Sequence, residues 1–123
     1  MGIVFQEGRH AGEFLVSEGN GNIARETGTI KAGVGHLEAG AVLGQITADK
    51  TFVPVNPDAT DGSQTAKAIL FAGVNATTTA QRATLMVRLC EVNAEALVWP
   101  SGTTGAEIAA ALAQLADHFI IAR

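Results

Sequence analysis

A serine nucleophile or histidine base would have to come from a short supply: Ser17, Ser63 and Ser101, with His10, His36 and His118. None of the serines lies in a G-x-S-x-G turn, the context that lifts a nucleophile clear of a sheet. His36 and Glu38 fall two apart, so a strand would put both on one face. Two ligands on a glycine-rich segment fall short of a zinc site, and two exposed polar residues is the simpler reading. His118 falls near an expected helix end, where an imidazolium meets the favourable pole of the helix dipole. Gly33 and Gly35 begin a G-x-G with no third glycine, and no GK[ST] is present, so no phosphate cradle is expected. Asp58 and Asp61 read as turn makers, not as a paired acid and base. Cys90 is the single cysteine; it cannot form an internal bridge, and its apolar neighbours suit core packing better than nucleophilic attack. No catalytic residue, metal or cofactor is expected, and the chain reads as a non-enzyme.

One short stretch suggests different chemistry. VLGQITADKTFVPV, residues 42 to 55, places Asp49 and Lys50 between two expected strands and resembles the hairpin of lipoyl and biotinyl carrier domains. There a lysine at the tip is modified because partner enzymes can reach it. On that reading Lys50 is the modified residue; on the simpler reading it is a solvated turn residue. The resemblance covers these residues alone, and short motifs of this kind recur by chance.

The elements that must position any of these residues follow from composition and spacing. At 123 residues and 12.6 kDa the chain has room for one domain with a real core. Only 16% of residues are charged, against about 25% in ordinary soluble domains. The net charge is −4, with no basic cluster, so there is no electrostatic footprint for nucleic acid. Glu107 and Gln114 interrupt the most apolar stretch, and no run nears the ~20 residues that span a bilayer. The opening MGIVFQEGRHAGEF lacks a basic region followed by an apolar one, so no secretory signal is visible and cytosolic synthesis is expected. The chain holds 22 Ala, 14 Gly and 12 Thr against 6 aromatics. Few charges and many small side chains fit a subunit whose surface is largely covered by neighbours; they fit a monomer with an alanine-rich helix equally well.

Residues 1–26 hold scattered apolar residues, among them Phe5, Phe14, Leu15 and Ile23, around one strand-like run at 13–17 and the turn-forming Gly19, Asn20, Gly21 and Asn22. The segment reads as an extended arm ahead of a single β-rich domain over 27–123. Short strands are expected in 27–34, 40–47 and 51–55, the last an edge or strand end because of Pro54. After the 56–63 loop, strands at 66–74 and 84–92 suggest a hairpin, and the tail FIIAR a last strand. Thr104 and Glu107 have capping-box spacing. Ile108, Leu112, Leu115 and Phe119 then follow at helical spacing, predicting one amphipathic helix of about four turns. Pro100 ends the apolar run Ala96, Leu97, Val98 and Trp99 before it.

Four strings together, GEFLVSEGNGNIARETGTI at 12–30, AGAVLGQIT at 39–47, FVPVNPDATDGSQTAKAILFAGVNAT at 52–77 and ALVWPSGTTGAEIAAALAQLADHFIIAR at 96–123, resemble the head decoration protein family of lambda-like tailed phages. The most specific parts are AILFAGVNAT and the Trp99–Pro100 pair leading into the helix. The resemblance implies an α+β, mostly β fold of the β-clip type with one C-terminal helix, assembled as a homotrimer. It implies a structural role on the outside of the expanded head, at three-fold positions, reinforcing the shell against DNA pressure without catalysis. The implied partners are the major capsid protein and the chain itself, with no nucleic acid and no membrane; the implied location is the virion surface after synthesis in the host cytoplasm. Under this resemblance residues 3–18 are the capsid-binding arm, with Phe5, Arg9, Phe14, Leu15 and Val16 as candidate contacts that add to an edge strand of the coat protein. Trp99 and Pro100 are the candidate trimer contact, a rigid aromatic anchor; Trp99 as a plain core residue is the competing reading.

Overall fold

Near-continuous apolar runs in mid-chain become strands buried on both faces. The computed structural model describes residues 9–123. Along Ala66–Leu70 (β6), Ala68 and Leu70 join one apolar cluster while Ile69 joins another. Gln81–Met86 (β8) divides the same way, with Leu85 in the first cluster and Met86 in the second. Successive side chains of a strand point to opposite faces, so each such strand is a wall between two cores.

The first core fills a closed barrel. Around it run Arg25–Ile30 (β2), Phe52–Pro54 (β5), Val42–Gln45 (β4), β6 and β8, in that order. β2 and β8 are antiparallel from Arg25↔Met86 to Ile30↔Gln81. β4 is antiparallel to both β5 and β6. The ring closes where β2 meets β5 in parallel, at the single pair Ile30↔Phe52. Ile30, Leu43, Phe52, Leu70 and Leu85 fill the interior. A Cβ on Gly28 would come within 2.6 Å of Leu85 Cδ1 and 2.8 Å of Phe52 Cε2. The missing side chain is therefore what admits those two larger ones.

The strand with Pro54, expected to lie at an edge or to end there, does end at Pro54, and it lies inside the barrel between β2 and β4. Beyond Phe52 its β2 side carries no further pairing, and a residue without an N–H is tolerated there. The expected strand over 84–92 is also two strands. It breaks before Cys90–Val92 (β9), where Leu89 takes φ +53. β8 stays in the barrel, and β9 becomes the centre of an outer sheet between Leu15–Glu18 (β1), antiparallel to it, and Ile120–Ala122 (β10), parallel to it. Gly35–Leu37 (β3) and Val74–Ala76 (β7) form a separate two-stranded ribbon.

The crossover from β9 to β10 is made by α1 (Gly105–Ala116). Its start is the expected capping box: the Thr104 hydroxyl accepts from Glu107 N at 3.2 Å and Thr104 N donates to Glu107 Oε1 at 2.9 Å. These satisfy two groups that a helix start leaves bare. The helix is shorter than its apolar spacing predicts, because His118 N and Phe119 N close the last turn onto Leu115 and Ala116 carbonyls and Phe119 turns left-handed at φ +61. Phe119 thus leaves the helix stripe and is 66% exposed. The second core lies under this outer layer, with Phe14, Ile69, Met86, Val92, Leu115 and Ile120 at its centre.

The N-terminal segment is the largest departure from expectation. Between Phe14 and Arg25 it does not stand apart as an arm: Phe14 is fully buried, β1 is paired to β9, and Arg25 opens the barrel. Glu18 at the end of β1 and Arg25 at the start of β2 are joined by two hydrogen bonds, 2.7 and 3.0 Å, while the guanidinium lies 4.2 Å from the centre of the Phe71 ring. The Arg25 hydrogen bonds hold the Glu18 carboxyl below its ordinary range.

Candidate functional site

The residues singled out for chemistry are dispersed. Ser63 is buried and donates to Asp61 Oδ1 at 2.6 Å, in a loop whose Asn56 carboxamide accepts from Asp58 N. These are turn-stabilising bonds of the kind its Asx residues favour. Glu38 lies past the end of β3 and faces Arg9 at 3.3 Å. Cys90 is 4% exposed, and burial, with the Glu18 charge adding to it, pushes its thiol up to about 11. Such a thiol is inert at neutral pH. Among the described residues no group of three His, Cys, Asp or Glu is placed to hold a metal. One cavity of about 480 Å³ is lined by residues from Glu26 to Phe119. Its cations are answered locally, Arg88 by Glu26 at 2.8 Å and Lys67 by Gln45 at 2.9 Å.

Lys50 does lie at an exposed connection, between β4 and β5, with φ +64. Its N–H donates to Ile46 O at 2.9 Å and its carbonyl accepts from Gln45 Nε2 at 3.0 Å. The neighbouring Asp49 does the structural work of the turn, accepting from Thr51 Oγ1 at 2.7 Å and Thr51 N at 3.0 Å. Those bonds, with Lys31 at 3.3 Å, hold its carboxyl down to about 2. A carboxyl depressed on folding stabilises the fold above its ordinary value of ~3.9, and that contribution is lost as pH falls towards 2. Asp49→Asn is therefore expected to melt below the parent at pH 6, with the gap closing by pH 2. Melting curves across that range check this, and a gap independent of pH would contradict it.

The candidate interaction residues fall into three places. Phe5 lies outside the described residues. Arg9 donates from Nη1 to Ala96 O at 2.8 Å, and its Nη1 lies 3.8 Å from Glu13 Oε1. Phe14 is a correction: at 0% exposure it belongs to the protein's own core and has no surface to offer a coat-protein pocket. Leu15 is half-buried against the same cluster, while Val16 projects from β1 at 56% exposure. Trp99 and Pro100 are half-buried.

Trp99 is a wall between two apolar hollows. One, about 200 Å³, lies towards α1 and is lined by Val55, Pro57, Ala106, Ala110 and Ala111. The other, about 280 Å³, lies towards β3 and is lined by Leu37, Glu38, Val98 and Pro100. The ring packs on the second core and still meets both hollows, so the two readings of Trp99 describe two faces of one side chain. Sequence spacing gave no sign of the hollows, because they arise where the 97–100 strap crosses from the outer layer to the barrel and bridges to Ala41. Exposed Leu89 and Phe119, both at positive φ, were equally hidden.

Comparison with known families matches residues 4–120 to bacteriophage lambda head decoration protein D. A search of curated proteins returned no match.

Proposed function

The chain belongs to the bacteriophage lambda head decoration protein D family, and from that premise we propose that it is a capsid cement: a non-enzymatic protein that binds the outside of the expanded head as trimers at three-fold positions and braces the shell against DNA pressure. The observation that carries the reading is the match itself, which takes in nearly the whole chain, from residue 4 to residue 120. It includes the Lys50 hairpin and lends nothing to the carrier reading. The absence of any helix long and apolar enough to cross a membrane, among the described residues, is compatible with a virion location.

The physical fit supports the same reading. Trimer contact is assigned to the Trp99–Pro100 strap and the adjoining face of α1, where exposed Ala106, Ala109, Ala110 and Ala113 permit close approach of a neighbour. Capsid contact is assigned to the residues ahead of Phe14, with Phe5 and Arg9 among them, and to Val16 on β1. The outer edge of β1 pairs with no described strand, so it can accept a coat-protein strand. Three such contacts on one trimer act at high effective concentration, which turns weak single contacts into durable ones.

Deleting residues 1–8 tests the assignment without touching Phe14 or β1. The shortened chain is expected to fold and to lose saturable binding to expanded heads in a sedimentation assay. Undiminished binding would contradict the N-terminal contact.

A further inference from the structure

An asparagine loses its amide when the backbone nitrogen of the next residue attacks the side-chain carbonyl carbon. The reaction needs a following N–H, little bulk beside it, and freedom in both groups. Of the five asparagines, Asn56 precedes Pro57, which has no N–H to attack with. Asn22 precedes β-branched Ile23, whose stiff side chain crowds the approach. Asn75 lies in β7, its carboxamide oxygen accepting from Thr77 N and Thr77 Oγ1. Asn93 accepts from Glu95 N at 3.0 Å, while the nitrogen that would attack it, Ala94 N, donates to Arg123 O at 3.1 Å.

Asn20 meets every requirement. It is followed by Gly21, both residues are exposed, and neither the Asn20 carboxamide nor the Gly21 N–H bonds to another described residue. Gly21 takes φ +66, and a Cβ there would meet nothing within 4 Å. The turn is held at its two ends, by Gly19 N on Leu89 O at 2.8 Å and by Arg25 N on Asn22 O at 3.1 Å. Its middle is free to bring the two groups together. Sequence alone offers a second candidate, Asp61–Gly62, since an aspartate before glycine closes the same ring. The structure removes it: Gly62 N donates to Gln64 Oε1 at 2.8 Å, Asp61 Oδ1 accepts from Ser63 N and Ser63 Oγ, and a Cβ on Gly62 would come within 2.6 Å of Gln45 O.

We propose that Asn20 is a site of spontaneous deamidation. The Gly21 nitrogen gives up its proton to base and bonds to Asn20 Cγ; the Cγ–Nδ2 bond breaks, ammonia leaves, and a succinimide ring closes. Water then opens either carbonyl of that ring, giving an aspartate or an isoaspartate whose backbone runs through the former side chain. Each event replaces a neutral amide by a carboxylate and makes the chain one charge more negative than its −4. The new charge stands two residues past Glu18, the last residue of β1. Because the turn is open, the fold keeps both products and modified chains accumulate with age. The chemistry is independent of the capsid reading.

The test is to age the full-length protein at mildly alkaline pH in heavy-oxygen water and to map its peptides by mass spectrometry. The peptide carrying Asn20 is expected to convert first, to take up one heavy oxygen per event, and to resolve into aspartyl and isoaspartyl forms. Conversion should quicken as pH rises, because the attacking nitrogen must lose its proton. Gly21→Ala should slow it at least several-fold, and Asn20→Gln, which would need a larger ring, should leave the peptide unmodified. Asp61–Gly62 should isomerise slowly in the folded chain and faster in urea, where the bonds that hold it are gone. An Asn20 that stays intact, or that converts no sooner than the other asparagines, would overturn the proposal. So would a rate indifferent to Gly21→Ala, or equal rates at Asp61–Gly62 in the folded and unfolded chain, since the fold would then select nothing.

Discussion

Gly44→Ala is expected to lose about 3 kcal/mol of stability, the upper end of the usual cost of forcing extra atoms into a packed interior. For a domain of this size that is a fall in Tm on the order of 10 °C or more. Gly44 lies in β4, between Val53 of β5 and Ala66 of β6. A Cβ there would stand 2.7 Å from Ser63 Cα and 2.8 Å from its carbonyl carbon. Those are backbone atoms of a loop that cannot swing away. Asn56 N donates to Ser63 O, and Asp61 accepts from both Ser63 N and Ser63 Oγ. Gly105→Ala is the control, because a Cβ at Gly105 meets nothing within 4 Å and alanine favours the helix. Thermal melts of the two variants should differ sharply, and a Gly44→Ala protein as stable as its parent would contradict the packing of the 56–65 loop on the barrel.

Phe14→Ala carries the second large effect. A fully buried phenylalanine replaced by alanine costs about 3–5 kcal/mol, from lost burial and from the cavity left behind. Phe14 is 0% exposed in the second core, and its carbonyl accepts from Asn93 N at 2.8 Å, joining the start of β1 to the end of β9. Were residues 1–26 a free arm, the same substitution would leave the melting curve unmoved. A shift of many degrees is the result the structure predicts. For the same reason, removal of residues 1–18 would confound folding with binding, whereas removal of residues 1–8 does not.

The capped helix, the barrel strands and the polar 56–63 loop were legible because each is written in local spacing: Thr104 to Glu107, the apolar runs, the Asx-rich turn. Other features depend on partners distant in the chain. Nothing in TLMVRLCEV shows that Leu89 turns left-handed and sends β9 to another sheet. Bulky residues seldom adopt that conformation. Pro54 reads correctly as a poor ladder member, yet a barrel that closes through one residue pair can hold it inside. Phe14 looked like an arm anchor because the cluster it joins takes in residues more than 75 positions away, among them Val92, Leu97 and Ile120. The candidate contacts were legible as residue types, Trp99 and Pro100 above all. Which face each one offers was not, since that is decided by the crossing of the 97–100 strap over the barrel.

The central claim, that the protein is a cement for the mature shell, is tested most directly by sedimenting it with expanded heads and with unexpanded proheads of its phage at matched concentrations. The account predicts saturable binding to expanded heads, at three copies per three-fold position, and none to proheads. Failure to bind either particle would contradict it.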